Sequence, residues 1–159
     1  MGRNFDRRIM DVVIKKLEEA EIEYFKQLLS VFDIVFEYEP YARPNEAHLA
    51  KLLRENSCHV FVALLNDQVI AGLTAYVLEQ YHSTKPILYI QDLAVLTAYQ
   101  RQGVGKKLMY AAKTYCMEQN FQLLSVQAEK QDVEAVSFYH SLEPAEVLEA
   151  MYFAYATDQ

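Results

Sequence analysis

The chain has 159 residues, of which 52% are hydrophobic and 23% charged, and its formal net charge is −7. That length and apolar share suit one soluble domain with a full hydrophobic core, and no apolar run nears the ~20 residues of a membrane span. The acidic balance argues against nucleic acid as a partner, and Cys58 and Cys116, without a nearby Cys/His pattern, argue against a disulfide scaffold or a metal site.

Met1 to Asp6 is not followed by an apolar stretch and does not read as a secretory signal, so a reducing, cytoplasmic compartment is expected. Arg8 to Leu17 alternates loosely, as a first strand does. Glu21 to Phe36 carries Ile22, Phe25, Leu29, Phe32 and Phe36 at spacings of three and four, an amphipathic helix. Pro40 to Pro44 interrupts the chain, and Asn45 caps a second helix with Leu49, Leu52 and Leu53 on one side. His59 to Leu65 and Gln68 to Leu78 flank Asn66-Asp67 and read as a hairpin. A strand follows at Ile87 to Val95, then a glycine turn and a long helix from Val104 to Glu118. That helix buries Val104, Leu108, Ala111 or Ala112, and Tyr115. Asn120 ends it, Leu123 to Ala128 is a short buried strand, and Asp132 caps a helix with Val136, Tyr139 and Leu142. Pro144 stops that helix. Val147 to Ala156, rich in aromatic and apolar residues, reads as further strand.

This order predicts one α/β (α+β) domain over 1–159, with a mixed central sheet of six to seven strands and about four helices. The unit spanning 87–128 should be a parallel, right-handed crossover. Ligands of such sheets gather beyond the carboxyl ends of the parallel strands, and there the chain reads Gln100-Arg101-Gln102-Gly103-Val104-Gly105. Gly103 and Gly105 are two of only four glycines. From Leu93 to Met117 the chain carries Arg101, Lys106, Lys107 and Lys113 and no acid. A glycine turn feeding a helix N-terminus gathers unpaired N–H groups and a partial positive charge, so this turn suits phosphate. It is not a P-loop, because Lys106 is followed by Lys107, and not a dinucleotide fingerprint, because Leu108 stands where the third glycine belongs. The plainer alternative is a tight turn with solvated lysines, and the unopposed basic run favours phosphate over it.

The run Tyr89-Ile90-Gln91-Asp92-Leu93-Ala94-Val95, followed by Gln100-Arg101-Gln102-Gly103-Val104-Gly105, resembles the acetyl-CoA-binding segment of the GNAT superfamily of N-acetyltransferases. Ala75-Tyr76-Val77-Leu78, Val126-Gln127-Ala128, Ala135-Val136 and Tyr139-x-x-Leu142 are similar to segments of the aminoglycoside 3-N-acetyltransferases of the gentamicin-modifying type. The family's Asp-Tyr-Gly-Asp-Asp-Pro segment is here Glu129-Lys130-Gln131-Asp132-Val133-Glu134, and the glycine usual after the Tyr-x-x-Leu helix is Glu143. The resemblance implies an acetyl-CoA-dependent acyltransferase without a metal. Its acceptor would be a cationic small-molecule amine, named as an aminoglycoside acetylated at its 3-amino group, with antibiotic resistance as the role. A polyamine, amino acid or protein amine is the alternative acceptor, and a non-catalytic coenzyme A-binding module the alternative class.

The resemblance also implies site residues. Backbone amides from Gln100, Arg101, Gln102, Gly103, Val104, Gly105 and Lys106 would hold the pyrophosphate, and Leu93, Ala94 and Val95 the pantetheine arm. Tyr139 matches the tyrosine that protonates the departing thiolate; with Val136 and Leu142 at helical spacing it also reads as plain core. Asp92, an unusual mid-strand carboxylate, is the first candidate for base or amine-orienting residue, unless its parity leaves it solvated. Glu129 is second, and Asp132 is a substrate contact or only a helix cap. His59 and His82 have no partners at metal or triad spacing. Tyr152, Phe153 and Tyr155 are compatible with core strands and with pairing across a homodimer.

Overall fold

The structure, a computed structural model, describes residues 11–157, and the chain divides into two compact units, Met1–Gln127 and Ala128–Gln159. The first holds β1 (Val13–Lys16), α1 (Ile22–Phe36), α2 (Glu46–Arg54), β2 (Cys58–Leu65), β3 (Gln68–Leu78), β4 (Ile87–Val95), α3 (Val104–Glu118) and β5 (Leu123–Val126). The second holds α4 (Val133–Ser141). No helix among the described residues is long and apolar enough to cross a membrane.

The strands form one sheet in the order β1-β2-β3-β4-β5, antiparallel except for the parallel pair β4 and β5. Asn66 and Asp67 both take positive φ, 50° and 60°, the two-residue hairpin geometry whose twist matches its strands. β2 is buried along its whole length because both faces of the sheet are covered. Its Phe61, Ala63 and Leu65 join the cluster containing Val104, Leu108, Ala112 and Cys116 of α3. Val60, Val62 and Leu64 join Phe25, Leu28, Val31 and Phe32 of α1 and Leu49 and Leu53 of α2. Each such side chain taken fully out of water contributes about 1.5–3 kcal/mol, so these alternating faces hold the helices on the sheet. The closest approach is at Gly72. A Cβ there would lie 2.5 Å from Leu28 Cδ1 and 2.7 Å from the Phe61 carbonyl oxygen, so only glycine lets α1 settle this low.

Three expectations need correction. The sheet has five strands among the described residues, not six or seven, because the run from Val147 to Ala156 lies outside any helix or strand. Part of the first predicted strand, Arg8 to Met10, falls outside the described residues, and β1 begins only at Val13. On α3 the buried stripe is Val104, Leu108, Ala112 and Cys116, which selects Ala112 over Ala111 and leaves Tyr115 half-buried.

Candidate active site

The glycine turn lies between the 3-10 turn Thr97–Tyr99 and α3. Arg101 and Gly103 both take left-handed conformations, φ 61° and 84°, and Gly103 is the N-cap of α3. No side chain caps that helix, and its first turn contains no acid. The first N–H groups of a helix have no partner within it, so these donors, with Lys106 and Lys107 close by, are available to an anion. A Cβ built on Gly103 would meet nothing within 4 Å, so the space beside this backbone is open. A diphosphate fits such a cradle. The two glutamine side chains serve the turn itself. Gln100 Nε2 donates to the Val95 carbonyl at 2.8 Å, and Gln102 Nε2 donates to that of Ala98 at 3.0 Å. The Gln100 amide thus ties the turn to the end of β4 and the Gln102 amide ties it to the preceding 3-10 turn.

β4 itself offers a second feature. Its parallel ladder with β5 runs only from Ile87 opposite Leu123 to Ile90 opposite Val126, yet β4 continues to Val95. Residues 92–95 remain paired to β3 on the other side, but have no strand partner on the β5 side among the described residues. That exposed ladder edge ends at the glycine turn, so an extended amide-bearing chain could pair with Leu93, Ala94 and Val95 and reach the anion cradle. The pantetheine arm of coenzyme A has this chemistry.

Asp92 comes from the same stretch. It lines a cleft of about 220 Å³ together with Phe25, Phe32, Tyr38, Tyr41, Thr74 and Tyr76. Half-burial pushes its carboxyl above the usual aspartate range. Burial, and next the charge of Asp92, raise the Tyr38 phenol. Asp92 is thus neither fully solvated nor matched by a cation among the described residues, a setting that favours an ammonium ligand or a role as base. The cleft's aromatic wall was not legible as a site in the sequence. The only signal was the aromatic cluster Phe36, Tyr38 and Tyr41 beside Pro40, where ring pairs now lie 5.5 and 6.5 Å apart.

The remaining candidates lie in the second unit. Asp132 caps α4, accepting from the Ala135 N–H at 3.0 Å, and its own N–H donates to the Glu129 carbonyl at 3.0 Å. Tyr139 stands on α4 with its ring 5.1 Å from that of Phe138. Capping accounts for Asp132 without a substrate. Both cysteines are buried, and burial pushes each thiol up to about 11, away from nucleophilic chemistry. His59 is not solitary: its Nε2 lies 3.2 Å from the Tyr115 hydroxyl, a pairing across 56 residues that no local spacing announces.

A family profile described as acetyltransferase (GNAT) family matches residues 14–143. Among solved structures, the chain is similar to the aminoglycoside acetyltransferase meta-AAC0020 from an uncultured soil metagenomic sample, crystallised with sisomicin. Identity is 44% over 92% of this chain and 97% of that one, with a TM-score of 0.90. A second aminoglycoside acetyltransferase from an uncultured soil metagenomic sample is 26% identical over 92% and 100% of the two chains, with a TM-score of 0.84. The aminoglycoside N-acetyltransferase AAC(6')-Iy, solved with CoA, shares the fold at 15% identity over 91% and 94%, with a TM-score of 0.73. Comparison with curated protein sequences gave no match. The profile runs through both β4 and the glycine turn, and with the full-length similarity it assigns this chain to the acetyltransferase (GNAT) family, as an acetyl-CoA-dependent N-acetyltransferase.

Proposed function

We propose that this enzyme acetylates an aminoglycoside, taking the acetyl group from acetyl-CoA and delivering it to the 3-amino group, and that antibiotic resistance is the outcome. The observation that carries the reading is Asp92, a half-buried carboxylate in an aromatic-walled cleft on the strand whose free edge leads to the anion cradle. Aminoglycosides are polycations, and a desolvated carboxylate among aromatic faces is well matched to an ammonium group. The 44% identical relative crystallised with sisomicin supports the same acceptor class.

In this reading the amides from Gln100 to Lys106, with the charges of Arg101 and Lys106, hold the pyrophosphate, and the free edge at Leu93, Ala94 and Val95 holds the pantetheine arm. Bound acetyl-CoA supplies an activated thioester. Asp92 orients the acceptor amine and takes its proton, directly or through a water, so that the nitrogen lone pair is free to attack. A backbone N–H of the β4 edge donates to the carbonyl oxygen as negative charge builds on it. Tyr139 gives its phenolic proton to the departing sulfur; reference values of roughly 10 and 8.5 for phenol and thiol make that transfer feasible. Glu129 and Asp132 add carboxylates for the acceptor's other ammonium groups. Transfer is direct, since neither buried thiol is poised to carry an acetyl group.

The test is mass spectrometry of sisomicin, a polyamine and a basic peptide, each incubated with enzyme and acetyl-CoA, followed by NMR of the product. Sisomicin acetylated at its 3-amino group is expected. Acetylation at another amine of sisomicin overturns the position, and acetylation of the polyamine or peptide alone overturns the acceptor class.

A further inference from the structure

Residues 37–45, which join α1 to α2, belong to no helix or strand, yet they supply part of the wall around Asp92. Tyr38 and Tyr41 line that cleft and are each 50% exposed, so burial in the core does not hold them. Among the described residues, no backbone–backbone hydrogen bond is made by positions 39–44. A segment of this kind samples many conformations unless side chains fix it.

Arg43 is the side chain that does so. Its Nη2 donates to Asp33 Oδ2, and Nη1 and Nη2 donate to Ser30 Oγ at 3.3 and 3.4 Å. The anchor is firm, because Val31 and Phe32, which lie between those two residues on α1, are buried against the sheet. Lys26 of α1 pairs with Glu46, the first residue of α2, so the far end of the segment is tied as well. Asp33 also depends on the contact. Its Oδ1 is buried without a hydrogen-bond partner among the described residues, so removing the guanidinium leaves a partly buried carboxylate short of both charge and donors. A planar guanidinium reaches two partners at once, where an ammonium acts as a single point charge.

We infer that Arg43 is a positioning residue, which latches the segment between α1 and α2 onto Asp33 and Ser30 and so holds Tyr38 and Tyr41 as the acceptor wall of the active site. The inference rests on the reading of the Asp92 cleft as the acceptor site. Arg43 itself does not line the cleft, so its effect falls on acceptor binding and not on the transfer step. A direct use of Asp33 makes the opposite demand. If its charge attracted the cationic acceptor, removing Arg43 would unmask that charge and tighten binding. In a latch the two residues act only together, so loss of either loosens the same wall.

The experiment compares the full chain with Arg43→Ala, Asp33→Ala, the double variant and Arg43→Lys. Steady-state rates are measured with sisomicin, or with whichever amine the wild-type enzyme acetylates, so that a wrong acceptor class shows in the wild type and a wrong latch only in the variants. Each single alanine substitution should raise KM for the acceptor about tenfold, with kcat and KM for acetyl-CoA within about twofold of wild type. The double variant should be no worse than either single one, and Arg43→Lys should fall between. Limited digestion with chymotrypsin should cut after Tyr38 and Tyr41 several-fold faster in Arg43→Ala, while circular dichroism shows a folded chain. Should the alanine variants fail to fold, Arg43→Lys decides by the same split of KM from kcat. Opposite effects of the two single substitutions overturn the inference, as do additive effects in the double variant. An unchanged acceptor KM, a fall in kcat alone or unaltered digestion overturns it too.

Discussion

Asp92 stands directly across from Thr74 in the ladder between β3 and β4, whereas Ala75, the next residue on β3, faces Ile90. Gln91 is therefore an extra residue on β4, a bulge that breaks the strict alternation of that strand. Without it, a count from Ile90, whose side chain is fully buried, would put Asp92 in the same core layer. With it, the carboxylate joins Thr74 and Tyr76 along the cleft, half out of water. The bulge also marks where β4 and β5 stop pairing, since Ile90 opposite Val126 is the last parallel pair. One local irregularity thus aims the proposed base and opens the strand edge beside it.

Asp92→Asn keeps the shape and removes the charge and the basicity. A general base contributes about 10²–10⁴-fold, so kcat/KM for an aminoglycoside should fall by at least about 100-fold, while circular dichroism and acetyl-CoA binding stay unchanged. Burial raises the Asp92 carboxyl, and the proposed role as base needs its ionised form. The acid side of the rate profile should therefore lie at higher pH than for an ordinary carboxylate, and the Asn variant should lose that contribution. Undiminished turnover would remove Asp92 from the mechanism.

Gly103→Ala separates strain from ligand contact. Its φ of 84° costs a side-chain-bearing residue about 1–2 kcal/mol, and no neighbouring atom within 4 Å adds a clash. Melting should fall by several degrees at about 2–4 °C per kcal/mol. If the space beside Gly103 receives the pyrophosphate, KM for acetyl-CoA should rise by about tenfold or more, beyond what the stability loss explains. Calorimetric titration with coenzyme A gives the comparison, and equal affinity in the variant would move the cradle elsewhere.

The parts of the fold legible in the sequence are those fixed by local chemistry. Gln68–Leu78, Ile87–Val95 and Val104–Glu118 have the predicted limits because Asn66-Asp67, Pro86 and the glycine turn punctuate them. Asn45 and Asp132 cap their helices as side chains of that kind do. Long-range geometry was not legible. Whether Asp92 faces core or cleft depends on an inserted residue, which periodicity treats as noise. The His59–Tyr115 pair joins β2 to α3, and the cleft draws residues from α1, α2, β3, β4 and the segment between the two helices. The C-terminal run from Val147 to Ala156 carries a strand's apolar pattern yet lies outside any helix or strand, because side-chain pattern does not fix which backbone a segment pairs with.

Glu143 takes φ 54° just after α4, where its N–H donates to the His140 carbonyl at 3.1 Å. This left-handed position past a helix end is the one glycine occupies most readily, so Glu143 holds a conformation that disfavours its own side chain. Glu143→Gly should relieve about 1 kcal/mol and slow hydrogen exchange in α4. A lower melting temperature would mean that the glutamate side chain makes a stabilising contact larger than the strain it carries.

His59 gives the chain a built-in sensitivity to acid. It is only 6% exposed, and its Nε2 shares a 3.2 Å hydrogen bond with the Tyr115 hydroxyl. Burial, with Lys16 adding a like charge and Glu18 opposing it, lowers the imidazole to about 4 from its ordinary 6.5. Between those values the unfolded chain binds a proton that the folded chain refuses, so stability rises with pH through that window and is lost as pH falls. The difference corresponds to about 3 kcal/mol at most, present above pH 6.5 and gone below pH 4. His59→Gln retains a hydrogen-bonding group for Tyr115, able to donate or accept, but cannot titrate. Urea unfolding at pH 7 and pH 4.5 should show the variant less stable at neutrality, from the altered packing, yet with a shallower decline toward acid. Parallel pH dependences in the two proteins would mean that His59 is protonated in the folded state at no cost, contrary to its buried, neutral pairing with Tyr115.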